Sequence, residues 1–232
     1  MKQFFVCSLF SFILVACDVS IPELPFDGLH GNVSMVRDST FSVIERNGEV
    51  VADSLIDLSV KKYDKKGHTI YYSTGFREEK SRYFNGERVS TTTIEGGIET
   101  WTERLICRKK NYRKWRERSE TFIIEDSFKE IYYDGLNLKS ISSYGAMSIE
   151  RYDEEGHLID AKLFADDTLD LCYHCEYDND IEVRVEYLYD STDTIVFTLT
   201  YPVFDKEQNW ATQIAWSEGR PCNIIRREIT YR

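Results

Sequence analysis

Apolar and polar residues alternate strictly over long stretches of this chain. Ile181, Val183, Val185, Tyr187 and Tyr189 alternate with Glu182, Arg184, Glu186 and Leu188. Ile195, Phe197, Leu199 and Tyr201 alternate with Thr194, Val196, Thr198 and Thr200, and Ile56, Leu58 and Val60 alternate with Asp57, Ser59 and Lys61. A period of two places successive side chains on opposite faces of a strand, so these segments predict antiparallel strands with one apolar face. Trp210, Thr212, Ile214 and Trp216 share one face of a further strand on the same reading. No segment sustains a helical stripe. No proline falls between Pro25 and Pro202, so no strand there lacks a ladder N–H.

The strands are separated by turn signals. Asn47-Gly48, Asn85-Gly86 and Gly96-Gly97 are two-residue hairpin signals. A longer unit recurs as Tyr63-Asp64-Lys65-Lys66-Gly67-His68 and Tyr152-Asp153-Glu154-Glu155-Gly156-His157. Looser copies occur at Tyr133-Asp134, Tyr177-Asp178, Tyr189-Asp190 and Phe204-Asp205 running to Asn209. In each, an aromatic closes a strand, Asp can accept hydrogen bonds from the backbone ahead, and Gly supplies a positive φ. That is the chemistry of a three-residue hairpin loop with a left-handed bulge. The expected fold is all-β: an antiparallel meander of hairpins forming a curved, largely open sheet with few or no helices.

The first residues read as an address. Lys2 precedes an apolar stretch from Phe4 to Ala16, interrupted by Ser8 and Ser11 and carrying Cys7, as in a secretory signal peptide. Leu14-Val15-Ala16-Cys17 resembles the lipobox of bacterial lipoproteins. The resemblance implies cleavage before Cys17 and acylation of its sulfur, with each buried CH₂ worth about 0.8 kcal/mol of anchoring. Residues 1–16 are therefore read as signal, 17–27 as lipidated Cys and tether with Pro22 and Pro25, and 28–232 as a single antiparallel β domain. The expected location is the bacterial cell envelope, lipid-anchored at the outer membrane and facing the periplasm or the surface.

The Tyr-Asp-x-x-Gly-His units resemble the YD repeats of Rhs-type proteins, whose turn ends in Asn where this chain has His68 and His157. The layout is similar to uncharacterised lipoproteins of Bacteroides-like bacteria. They share the lipobox, the Gly28-to-Val33 segment, the YD-like turns and the closing Asn209-Trp210 and Arg227-Glu228-Ile229-Thr230-Tyr231. The likeness implies a hairpin fold and assigns no activity.

Charge narrows the partners. Forty acidic residues against 29 basic give a net charge of −11, which argues against nucleic acid. Arg104, Arg108, Lys109, Lys110, Arg113, Lys114, Arg116 and Arg118 crowd one stretch, interleaved with Trp101, Tyr112 and Trp115. Their plainest reading is a hairpin whose wet face pairs with acids of neighbouring strands; a phosphate or acidic-glycan patch is the sharper one. Cys107, Cys172, Cys175 and Cys222 permit two disulfides outside the cytoplasm. Cys172 and Cys175 have redox or metal spacing, yet on a strand they point to opposite faces and cannot share a metal. His30, His68, His157 and His174 form no ligand set with them, and no nucleophile elbow or phosphate loop is present. The expectation is no catalytic residue, no cofactor and no metal, with Cys17 lipidation as the one assigned site. The expected role is a non-enzymatic, membrane-anchored module presenting a β-sheet face to a glycan or protein partner. The alternatives are a secreted polysaccharide hydrolase, and a structural or immunity-type envelope partner.

Overall fold

The computed structural model describes residues 29–119, 124–143, 145–189 and 193–232, with the backbone alone for 124–126. The expected signal, Cys17 and tether lie outside the described residues, as does Tyr189-Asp190 at its Asp. Sixteen strands follow one another: β1 (Val33–Arg46), β2 (Glu49–Tyr63), β3 (Thr69–Ser73), β4 (Arg77–Phe84), β5 (Glu87–Glu95), β6 (Ile98–Lys109), β7 (Tyr112–Ser119), β8 (Ile124–Asp134), β9 (Asn137–Ser142), β10 (Met147–Tyr152), β11 (Leu158–Ala165), β12 (Thr168–Asp178), β13 (Ile181–Tyr189), β14 (Asp193–Phe204), β15 (Trp210–Ser217) and β16 (Arg220–Tyr231). Each pairs antiparallel with its sequence neighbours, and no described residue is helical.

The sheet is not open. β1 pairs with β16 from Val33↔Tyr231 to Phe41↔Ile224, closing a barrel. The expected open sheet is therefore corrected to a closed sixteen-stranded barrel. Closure removes the two edges whose unpaired N–H and C=O groups an open sheet would leave for other chains. The seam is sealed by charge on both faces. Inside, Arg227 Nε and Nη2 donate to the two oxygens of Asp38 at 2.8 and 2.7 Å. Outside, Arg37 lies 3.5 Å from Glu228. Asp38↔Arg227 and Arg37↔Glu228 are directly opposed in the register, so both pairs form only if the ends meet in this alignment.

The turns take the conformations their residues favour. Asn47 and Gly48, Asn85 and Gly86, and Gly96 and Gly97 all have positive φ, as a two-residue primed turn requires. In the Tyr-Asp units, Asp64 N–H donates to His68 O at 2.9 Å and Asp153 N–H to His157 O at 3.0 Å, closing three-residue loops with Gly67 and Gly156 at φ +86° and +93°. The copy at Asp205 closes the same way on Asn209, with Gln208 at φ +66° where the others have Gly.

The register sorts the faces. Leu171, Cys175, Val185, Tyr187, Leu199 and Ala215 pack inward on β12 to β15 as one cluster. Trp115, Ile131, Leu138, Tyr152, Leu158 and Ala161 form a second on β7 to β11. On β2 the expectation inverts: Ile56 and Leu58 are 49% and 40% exposed. Lys61, opposed to Val36 and Tyr72, shares their inward face with Asp57 and Ser59. The alternation is real, but its charged side faces in. The Trp210–Trp216 face is also split: a register shift at the β14–β15 pairing turns Trp210 toward Arg227, whose guanidinium lies 3.5 Å from the ring centroid, while Trp216 donates to Thr200 Oγ1 at 2.9 Å.

Candidate functional site: a carboxylate arc on the inner wall

Period-two patterning places Glu79 on β4, Glu103 on β6, Glu117 on β7 and Glu150 on β10 on the inner wall, each in register with buried neighbours. Glu79 opposes Thr93, Glu103 opposes Thr91, Glu117 opposes Ser127, and Glu150 opposes Leu138 and Ala161. Glu117 is 4% exposed and Glu150 2%. Buried carboxylates require partners, and the wall supplies them. Arg77 Nη2 lies 2.5 Å from Glu79. Glu103 sits between Arg88 at 3.8 Å and Lys129 at 3.9 Å. Ser127 and Ser142 hydroxyls donate to Glu117 at 3.4 and 3.5 Å. Ser148 and Tyr152 donate to Glu150 at 3.0 and 2.6 Å. Contacts reach across two strands because the wall is concave: Arg88 lies over the Trp115 ring at 5.2 Å, and Arg113 pairs with Glu87.

Glu103 and Glu117 are directly opposed on β6 and β7. Two like charges so placed destabilise a ladder, and the environment separates them. Burial acts on Glu103, but Lys129, Arg88 and the hydrogen bond from Trp101 outweigh it and hold its carboxyl below the usual range. At Glu117 the pull of Lys129 is outweighed. Burial first, then Glu103, push it up to about 7. Burial also raises Glu150 and Glu79. The arc therefore holds a fixed charge on Glu103 and exchanges a proton at Glu117 near neutrality.

A second buried group stands in the apolar arc. Tyr173 OH donates to Glu182 Oε1 at 2.8 Å, and Cys175 Sγ lies 2.6 Å from both oxygens. Burial, then Glu182, raise the Cys175 thiol, which keeps it protonated and a poor nucleophile.

The sequence-marked residues fall elsewhere. Cys175 faces in and Cys172 out, as the strand reading required, and Cys107, Cys172, Cys175 and Cys222 are all free thiols. Among the described residues no cluster of three or more His, Cys, Asp or Glu could hold a metal. His68 and His157 are turn residues: each ring Nδ1 lies 2.8 Å from the Asp that opens its turn, and the rings stack on Tyr83 and Tyr177. His174 Nδ1 lies 2.7 Å from Asp160 on the outer wall. The basic stretch is the β6–β7 hairpin. Lys114 pairs with Glu130 at 2.9 Å and Arg108 with Glu87 at 2.9 Å, while Arg104 opposes Arg116 on the outer face. The four acids of the arc carried one sequence signal, an acid in phase with an apolar or small face, as in Trp115-Arg116-Glu117-Arg118-Ser119.

No protein-family model and no curated protein matches the chain. Among solved structures it is similar to a porin-like protein from Bacteroides uniformis, at 11% identity and a TM-score of 0.38, over 87% of this chain and 99% of that one. The closed barrel rests on this chain's own strand ladder. The expected module presenting an open sheet face to a glycan or protein is corrected by closure: among the described residues there is no open sheet, and no free strand edge for a partner to extend.

Proposed function

We propose that this chain is an envelope barrel that stands in water beside its membrane, held there by acylated Cys17, and that its inner carboxylate arc makes the fold respond to proton concentration. It neither spans a bilayer nor catalyses a reaction on this reading. The observation that carries it is the outer wall. Register places Lys80, Arg104, Arg116, Glu130, Lys139, Lys162, Arg184 and Glu186 on the outer face of strands between β4 and β13. A lysine or arginine facing lipid at the bilayer midplane costs about 2–4 kcal/mol, so outward cations on six of these strands weigh against hydrocarbon contact. The interior supports the same conclusion, because a water-filled conduit would leave Glu117 and Glu150 wet and they are buried. The lipobox-like Leu14-Val15-Ala16-Cys17 supplies attachment without a span.

Membrane fractionation with bilayer conductance tests this. The native chain resists a high-salt wash, Cys17→Ser moves to the soluble fraction, and the purified chain leaves planar bilayers electrically silent. Cys17→Ser protein retained in salt-washed membranes, or stepwise conductance from the purified chain, overturns the reading.

A further inference from the structure

In an up-and-down barrel, every turn that follows an even-numbered strand lies on one rim. That rim also receives the entering chain: His30 N–H donates to Asn209 Oδ1 in the β14–β15 turn at 2.6 Å, and Arg232 N–H donates to Asn32 O at 2.9 Å. Its charge is divided. Lys65 and Lys66 in the β2–β3 turn and Arg108, Lys109 and Lys110 at the β6–β7 turn are exposed. The β4–β5 turn stands between them, with Phe84 66% exposed. These turns touch: His68 Nε2 lies 4.0 Å from where a Cβ on Gly86 would sit, and Arg108 pairs with Glu87. The acids of this arc are engaged within it. Asp64 accepts the N–H groups of Lys66 and His68 at 2.7 and 3.0 Å, and Glu87 holds Arg108 and Arg113. The rest of the rim is acidic, with Asp134, Glu154, Glu155, Asp178 and Asp180 exposed on the next three turns.

We propose that the basic arc with Phe84 at its centre docks on an anionic lipid surface, tilting the barrel so that the acidic arc points away. A large apolar side chain projecting among lysines is the chemistry of interfacial membrane contact, in which burial and attraction to anionic headgroups act together. The occupant is argued from position. Residues 18–27 span about 35 Å when fully extended, and the chain enters the barrel at this rim, so an anchor at Cys17 favours presenting this rim to the headgroups. The inference rests on the tethered reading for its biological setting, and its test does not.

Every strand of the ladder lies between Val33 and Tyr231, and closure is complete within it, so residues 29–232 form the test protein. Co-sedimentation with phosphatidylglycerol-containing vesicles is expected to exceed that with phosphatidylcholine by about tenfold and to fall as salt is raised. Lys65→Glu, Lys66→Glu and Lys110→Glu together abolish that preference, Phe84→Ser lowers binding about threefold, and Glu154→Lys with Glu155→Lys does not lower it. Equal binding to both vesicles, or unchanged binding of the lysine variant at an unchanged melting temperature, overturns the proposal. If the lysine variant does not fold, Phe84→Ser and the salt dependence decide. Because the 29–232 chain lacks Cys17, failure of docking leaves lipidation standing, and failure of lipidation leaves docking standing.

Discussion

At the residue scale, Glu117 is the most consequential side chain. Its carboxyl is raised to about 7 by burial and by Glu103 across the ladder. A raised carboxylate contributes stability that is complete below the unfolded-state value and is lost as pH climbs through the folded-state value. The barrel is therefore expected to be more stable at mildly acid pH than above neutrality, with the loss spread between the ordinary Glu value of 4.5 and about 7. Glu117→Gln removes its share of the dependence, leaving the smaller shares of Glu79 and Glu150. Thermal melts should show the variant exceeding the native protein by up to about 3 kcal/mol in mild alkali, because each tenfold difference in proton affinity between folded and unfolded chain is worth about 1.36 kcal/mol. The two should converge in acid. Parallel curves for the two proteins would refute the assignment. The turn aspartates run the other way. Burial alone would raise Asp64 and Asp153, but the His68 and His157 rings and the backbone N–H groups outweigh it and lower both. Their contribution is present above the unfolded Asp range and is lost as pH falls below it. Residue identities were all visible in the sequence. What hid the arc was its phase: the same local signal, an acid in step with apolar neighbours, attends the outward Glu130 between Phe128 and Tyr132.

At the element scale, the Tyr-Asp hairpin is a unit with one weak copy. Gly67, Gly156 and Gln208 occupy the same left-handed position. A non-glycine residue there costs roughly 1–2 kcal/mol in backbone sterics. Gln208→Gly is thus expected to stabilise the barrel by about 1 kcal/mol and Gly156→Ala to destabilise it by a similar amount, read from chemical-denaturation midpoints at unchanged slope. No gain in the first variant would show that Asn209, held by His30 and Tyr231, already absorbs the strain. These three turns were legible in the sequence because their chemistry is local; the looser copies after Tyr133 and Tyr177 close instead as two-residue turns, with Asp134 opposite Asn137 and Asp178 opposite Ile181. The strand alternation was legible too, and on β13 and β14 its apolar side is the inner one. On β2 it is not: there the inner face carries Asp57, Ser59 and Lys61.

At the scale of the whole molecule, closure decides everything else. The β1–β16 seam depends on Arg227 gripping Asp38. The pair is largely buried, with side-chain exposures of 12% and 19%. Removing Arg227 leaves the Asp38 carboxylate largely buried without its cation, which costs about 3–5 kcal/mol. Arg227→Ala should lower stability by that order. It should also create concentration-dependent association in analytical ultracentrifugation, since an opened seam exposes two strand edges. Asp38→Asn, which keeps a hydrogen-bonding partner for the guanidinium, should do less. Equal melting temperatures for native and Arg227→Ala protein would mean that backbone pairing alone holds the seam.

The sequence by itself determined the antiparallel strands, the lack of helix among the described residues, the position of most turns and the lipobox-like address, because each is written in residues close together along the chain. The tertiary structure alone decided that the sheet closes, which face of each strand is inner, and that Glu79, Glu103, Glu117 and Glu150 share one wall. Those outcomes depend on the first strand meeting the last, and pairing between residues some two hundred positions apart leaves no local trace in either segment.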